Sequence, residues 1–88
     1  MKIWLLIWST RDEWHDPGVR VFPTEEAARN QYVADVLEQL VTASERLLHE
    51  VIELAPESMK YEIARIWVQE IETEWELRLD EHSLPDPV

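Results

Sequence analysis

Carboxylates are the residues of this chain best supplied for chemistry, and the densest run of them is Glu70-Ile71-Glu72-Thr73-Glu74-Trp75-Glu76-Leu77-Arg78-Leu79-Asp80. Polar and apolar residues alternate through it, the period of a half-buried strand with Ile71, Thr73, Trp75, Leu77 and Leu79 inward. On a strand Glu70, Glu72, Glu74 and Glu76 would project to one side ~6.6–6.8 Å apart. A helix would instead stack Glu70 on Glu74 and Glu72 on Glu76 with a single base for relief, at a few tenths of a kcal/mol per pair. Strand is the expectation, with a helix continued to Asp80 as the alternative. Two carboxylates of the row, Glu72 with Glu74 or Glu74 with Glu76, could act as acid and base only if their environments set their pKa values apart. A row on one solvated face shares one environment, so no enzyme is expected. The chemistry that fits is a negatively charged ladder offered to a groove of Lys and Arg.

Other constellations carry less. Glu45, His49 and Glu53 fall at i, i+4 and i+8, which would line three metal-ligand types along a helix. The same spacing is common on solvated faces, and no metal or other cofactor is expected. Ser9, Ser44, Ser58 and Ser83 lie in no triad-like context, and a lone glycine builds no phosphate cradle. Of five tryptophans, Trp4, Trp8, Trp14, Trp67 and Trp75, some must be core in so small a domain, Trp75 with Ile71 and Leu77 facing the helices. Others are left exposed unless helices cover both faces of the sheet. Trp8 and Trp14 are therefore candidate apolar anchors, because tryptophan is enriched at the energetic centres of interfaces. The expected partner-binding set is Glu70, Glu72, Glu74, Glu76 and Asp80 with Trp8 and Trp14.

These residues need a frame. Lys2 to Thr10 is rich in β-favouring residues and too short for a typical helix, which predicts a strand with Ile3, Leu5 and Ile7 on one face and Trp4, Leu6 and Trp8 on the other. If helices cover one face only, one of those triplets lies beside the acidic row. Asp16-Pro17-Gly18 predicts a turn that uses the freedom of the only glycine, before a second strand Val19–Phe22. Thr24, followed by Glu25 and Glu26, predicts a capped helix start. Val33, Leu37, Leu40, Ser44, Leu47, Val51 and Leu54 then form one seam, read as a long helix to about Leu54 or as two helices parted at the capping box Thr42-Ala43-Ser44-Glu45. Pro56 opens a short third helix that carries Met59, Ile63, Ile66 and Trp67. The expected fold is α+β: a three-stranded antiparallel sheet in the order 2-1-3, with elements β-β-α-α-β. Residues 1–83 would form one compact domain and 84–88 a flexible tail.

Composition sets the class of partner. The 88 residues carry 19 acids against 8 Lys and Arg, net −11, with 45% apolar residues and no cysteine. That charge exceeds the ~2–8 usual for solubility of a small domain. It repels nucleic-acid phosphates and anionic lipid headgroups, so neither direct nucleic-acid binding nor membrane binding is expected, and a basic protein partner is. Without cysteine there is no disulfide frame, thiolate metal site or cysteine nucleophile. The longest apolar run, Ile3 to Trp8, is too short for a membrane span, and a cytoplasmic location is expected.

The opening Lys2-Ile3-Trp4-Leu5-Leu6, the segment Val19-Arg20-Val21-Phe22-Pro23-Thr24-Glu25-Glu26-Ala27-Ala28 and the closing strand of alternating acids together resemble a β-β-α-β plan recurrent among small phage and prophage proteins. Residues 39–67 expand that plan. In overall character the chain is similar to phage-borne inhibitors of host defence, anti-CRISPR proteins among them, several of which imitate nucleic acid. The resemblance implies an acidic, non-enzymatic inhibitor acting on a nuclease or defence complex in the host cytoplasm. Two alternatives fit the same composition: an immunity protein or antitoxin that neutralises a basic toxin, and a homodimeric phage assembly protein.

Overall fold

In a computed structural model the described residues are 1–10, 18–70 and 75–85. The expected α+β architecture is present. β1 (Lys2–Thr10) is the central strand, flanked by β2 (Gly18–Phe22) and β3 (Trp75–Ser83), both antiparallel to it. Three helices, α1 (Glu25–Gln39), α2 (Arg46–Leu54) and α3 (Glu57–Glu70), lie between β2 and β3 in the chain.

Local chemistry sets the boundaries. Thr24 Oγ1 accepts the Ala27 amide at 3.2 Å, and Glu25 and Glu26 sit at the positive end of the α1 dipole. α1 stops at the β-branched pair Val41-Thr42, where the Thr42 hydroxyl bonds to the Glu45 carboxylate and the Thr42 carbonyl accepts the Glu45 amide. A 3₁₀ turn over Ala43–Glu45 then leads into α2, so there are two helices parted at Thr42–Glu45, although the Thr42 side chain caps no backbone amide there. Ala55 is extended, as the residue before a proline prefers, and the Pro56 carbonyl opens α3 by accepting the Met59 and Lys60 amides. α3 runs over 14 residues, longer than expected. Gly18 is an extended strand residue and does not use positive φ.

All three helices contribute to one core on one side of the sheet. Leu6, Tyr32, Val36, Leu40, Ile52, Ala64, Val68 and Leu77 form it, with Phe22, Trp67, Trp75 and Leu79 packed against its rim. Register places Leu6 opposite Leu79 and Trp8 opposite Leu77, so Trp4, Leu6 and Trp8 face the helices. Ile3, Leu5 and Ile7 face the other way.

The single seam does not hold through α2. There the residues turned inward are Leu48 and Ile52, while Leu47 is 71% exposed and Val51 and Leu54 are also exposed. Of the expected tail, residues 86–88 lie outside the described residues, and Leu84 continues the β1–β3 pairing. Met1 and Leu84 exchange both backbone hydrogen bonds, at 2.7 and 3.2 Å.

Candidate functional site

The carboxylates expected as one ladder are divided between two elements. Glu70 is the last residue of α3, whereas Glu76 and Asp80 project from β3, and Glu72 and Glu74 lie outside the described residues. A strand row beginning at Glu70 does not form, because Glu70 belongs to α3; the described part of β3 is Trp75–Ser83. From there the expected alternation holds, with Leu77 buried, Trp75 and Leu79 half-buried, and Glu76 exposed. Trp8 is 37% exposed but on the helix-facing side, opposite Leu77, so it is not beside Glu76 and Asp80. Trp14 lies outside the described residues.

What adjoins the charged side of β3 is aliphatic. The face turned away from the helices carries the half-buried Ile3, Leu5 and Ile7 down its centre, Val19 and Val21 on β2 at 54% and 59% exposure, and Glu76, Arg78, Asp80 and His82 on β3. Leu5 stands between Val21 and Asp80, and Ile7 between Val19 and Arg78. None of these five aliphatic residues joins the core cluster.

The basic side chains are largely consumed inside the chain. Lys2 pairs with Glu81, Arg20 with Asp35, Arg29 with Glu25, Lys60 with Glu57, Arg65 with Glu62 and Arg78 with Asp80. The bond to Glu62 raises the Arg65 pKa above its ordinary value. Among the described residues Glu26, Glu38, Glu50, Glu70 and Glu76 take part in no ion pair, and all five are exposed. The surplus of negative charge thus sits on solvent-facing carboxylates. No polar or charged residue among those described is buried.

Two helix starts bring several carboxylates together. The first turns of α1 and α3 lie side by side and enclose a cleft of about 450 Å³ lined by Glu25, Glu26, Arg29, Asn30, Glu57, Ser58 and Tyr61. Arg29 shows how the cleft holds a guanidinium: Glu25 accepts from it, and its carbon lies 4.7 Å from the centre of the Tyr61 ring. Burial pushes the Tyr61 phenol above its ordinary pKa, and Arg29 and Arg65 pull it part of the way back. At the mouth Glu26 takes part in no ion pair, and the 85%-exposed Glu57 lies 3.6 Å from Lys60. Sequence reasoning identified both helix starts but not that they adjoin, which depends on how α1 packs on α3.

Of the potential metal-ligand triplet, His49 Nδ1 lies 3.4 Å from Glu53, while Glu45 turns back to Thr42. Among the described residues no helix is long and apolar enough to cross a membrane. No protein-family model matches the chain, and no curated protein or solved structure matches it at a significant level.

Proposed function

We propose that this protein is a non-enzymatic acidic inhibitor that docks on a basic, nucleic-acid-binding surface of a nuclease or defence complex in the host cytoplasm and so keeps nucleic acid off it. One observation carries the reading. Internal pairing uses nearly every described Lys and Arg, and the carboxylates left over face solvent. A surface of that kind attracts a positively charged groove over a distance of about a Debye length, ~8 Å at physiological salt, and speeds encounter. At contact the mouth of the cleft between α1 and α3 offers a partner arginine or lysine the unpaired Glu26, with the exposed Glu57, paired to Lys60 at 3.6 Å, beside it. The Ile3/Leu5/Ile7 face with Val19 and Val21 offers apolar contact area elsewhere on the molecule.

The test begins with capture of the partner from host lysate on the immobilised chain. The captured protein should be basic, should bind nucleic acid, and should lose that binding as the inhibitor is added. Reversing Glu26 and Glu57 to Lys together should weaken the complex by roughly tenfold or more, mostly through slower association, while the circular dichroism spectrum stays native. Affinity indifferent to salt, or a partner that holds nucleic acid and this chain at the same time, would refute the proposal.

A further inference from the structure

We propose that β3 is a self-complementary edge through which two copies of this chain join, Leu79 against Leu79, to make one continuous antiparallel sheet of six strands. The reasoning starts from the hydrogen bonds. Met1 and Leu84 exchange both backbone bonds, and β1 and β3 continue from there in unbroken register, Lys2 opposite Ser83 through Thr10 opposite Trp75. In an antiparallel ladder bonded and non-bonded pairs alternate. The backbone groups of Glu76, Arg78, Asp80 and His82 are therefore turned toward β1. Those of Leu77, Leu79, Glu81 and Ser83 are turned to the outer edge, where among the described residues no other strand of the sheet lies. One is already engaged: the Leu77 carbonyl accepts the Tyr32 hydroxyl at 3.1 Å. A carbonyl oxygen has two lone pairs, so it retains capacity for one amide more.

Charges on an edge strand ordinarily discourage pairing with another chain. Here their order reverses that effect. Two copies of β3 run antiparallel about a two-fold axis at Leu79 would set Arg78 opposite Asp80 of the second copy and Glu76 opposite His82 of the second copy, each twice by symmetry. The same register overlaps the whole strand, Trp75 with Ser83. Its neighbours fail on charge. An axis at Arg78 opposes Arg78 to itself and Glu76 to Asp80; an axis at Asp80 opposes Asp80 to itself; an axis at Glu81 opposes Glu81 to itself. An axis at Leu77 pairs only residues 75 to 79 of the described strand. On the other edge of the sheet, β2 paired about its centre would oppose Arg20 to Arg20.

Two of the three carboxylates of β3 already have a positive neighbour, since Lys2 lies 3.1 Å from Glu81 and Arg78 3.1 Å from Asp80. Partner inhibition and self-pairing use different surfaces, so the proposal stands independently of the function proposed above.

Sedimentation of the full chain over a range of concentrations is the test, with a native dimer expected. Arg78→Asp and Asp80→Arg each create two like-charge oppositions across the axis, so each should weaken self-association by ~10-fold or more. Mixed one to one, the two variants regain opposite charges across the axis and should form a heterodimer, scored by co-capture on a tag carried by one of them. Neither variant regains its internal 78–80 pair on mixing, which separates an interchain role from a folding role. In the unmodified chain the Leu79 and Glu81 amides should become more protected from hydrogen exchange as concentration rises, and the Asp80 amide should not change. A monomer at every concentration, single variants that dimerise like the native chain, or folded variants that ignore each other on mixing would overturn the proposal. So would exchange at Leu79 and Glu81 that does not depend on concentration.

Discussion

Replacing Tyr32 with Phe isolates one bond that ties the helical layer to the sheet. The side chain is 1% exposed, its hydroxyl donates to the Leu77 carbonyl at 3.1 Å, and its ring meets Tyr61 edge-on at 5.1 Å between centres. Phe retains the ring contact and the apolar volume, so the loss is confined to the hydrogen bond and to a carbonyl left short of a partner. That costs ~1–2 kcal/mol, which in a domain of this size lowers Tm by roughly 4–8 °C per kcal/mol. The cost of the substitution shrinks in alkali. Burial raises the Tyr32 pKa well above its ordinary value, so between about pH 10 and the folded-state value the native protein holds a proton that the unfolded chain has released. The tyrosine's contribution is complete below pH 10 and is lost as pH rises through the folded-state value, at up to ~1.4 kcal/mol per pH unit. Urea unfolding followed by tryptophan fluorescence from pH 8 to pH 11 measures both effects. The variant should start less stable and then lose stability less steeply than the native chain, its remaining alkaline slope coming partly from Tyr61. Equal stability at pH 8, or parallel curves above pH 10, would show that the hydroxyl does not work in the way its geometry implies.

Two further substitutions probe the helical layer. Ile52→Ala should cost ~2–5 kcal/mol in denaturant unfolding, because Ile52 is 0% exposed, whereas Leu47→Ala one and a half turns earlier, at 71% exposure, should change stability by less than ~0.5 kcal/mol. Thr24→Ala removes the side chain that accepts the Ala27 amide and should cost ~1 kcal/mol, measured in the same way, while Thr24→Ser should restore most of it.

The strands, the Thr24 cap and the Pro56 restart were legible because each rests on short-range chemistry: β-branched and aromatic residues, a hydroxyl before a free amide, a ring that fixes φ. The break at Thr42 belongs with them, since Val41 and Thr42 weaken a helix and Glu45 gives the hydroxyl a local partner. What local pattern left open, packing decided. α2 carries an apolar arc of about 160° by helical geometry, and both Leu47/Val51/Leu54 and Leu48/Ile52/Ala55 are rows of the right spacing. Choosing between them requires knowing where α3 and the sheet lie. The same holds at Glu70, which fits the alternation of the strand that follows and the helical period of Ala64 and Val68 before it. The structure assigns Glu70 to the helix and breaks the expected carboxylate row. The acidic cleft was hidden for a related reason, since Glu26 and Glu57 stand 31 positions apart and meet only through the packing of α1 on α3.

Inhibition through the carboxylates and self-association through β3 place opposite demands on the same net charge of −11, and ionic strength separates them. A basic partner is drawn in by the field of the whole chain, so screening removes attraction and the complex weakens as salt is added. Two copies of the chain repel at long range and attract only in the last few ångströms, where Arg78 meets Asp80, Leu79 meets Leu79 and backbone groups pair. The Debye length falls from about 10 Å at 0.1 M salt to 3 Å at 1 M, which removes the repulsion between bodies tens of ångströms across before it affects contacts at hydrogen-bond distance. Self-association should therefore hold steady or strengthen over the range in which the partner is released. A single salt titration, followed by sedimentation with and without the partner, reads both dependences. If both processes weaken together, the dimer depends on its exposed charge pairs more than on strand pairing, and the double opposition of Arg78 to Asp80 becomes its main support.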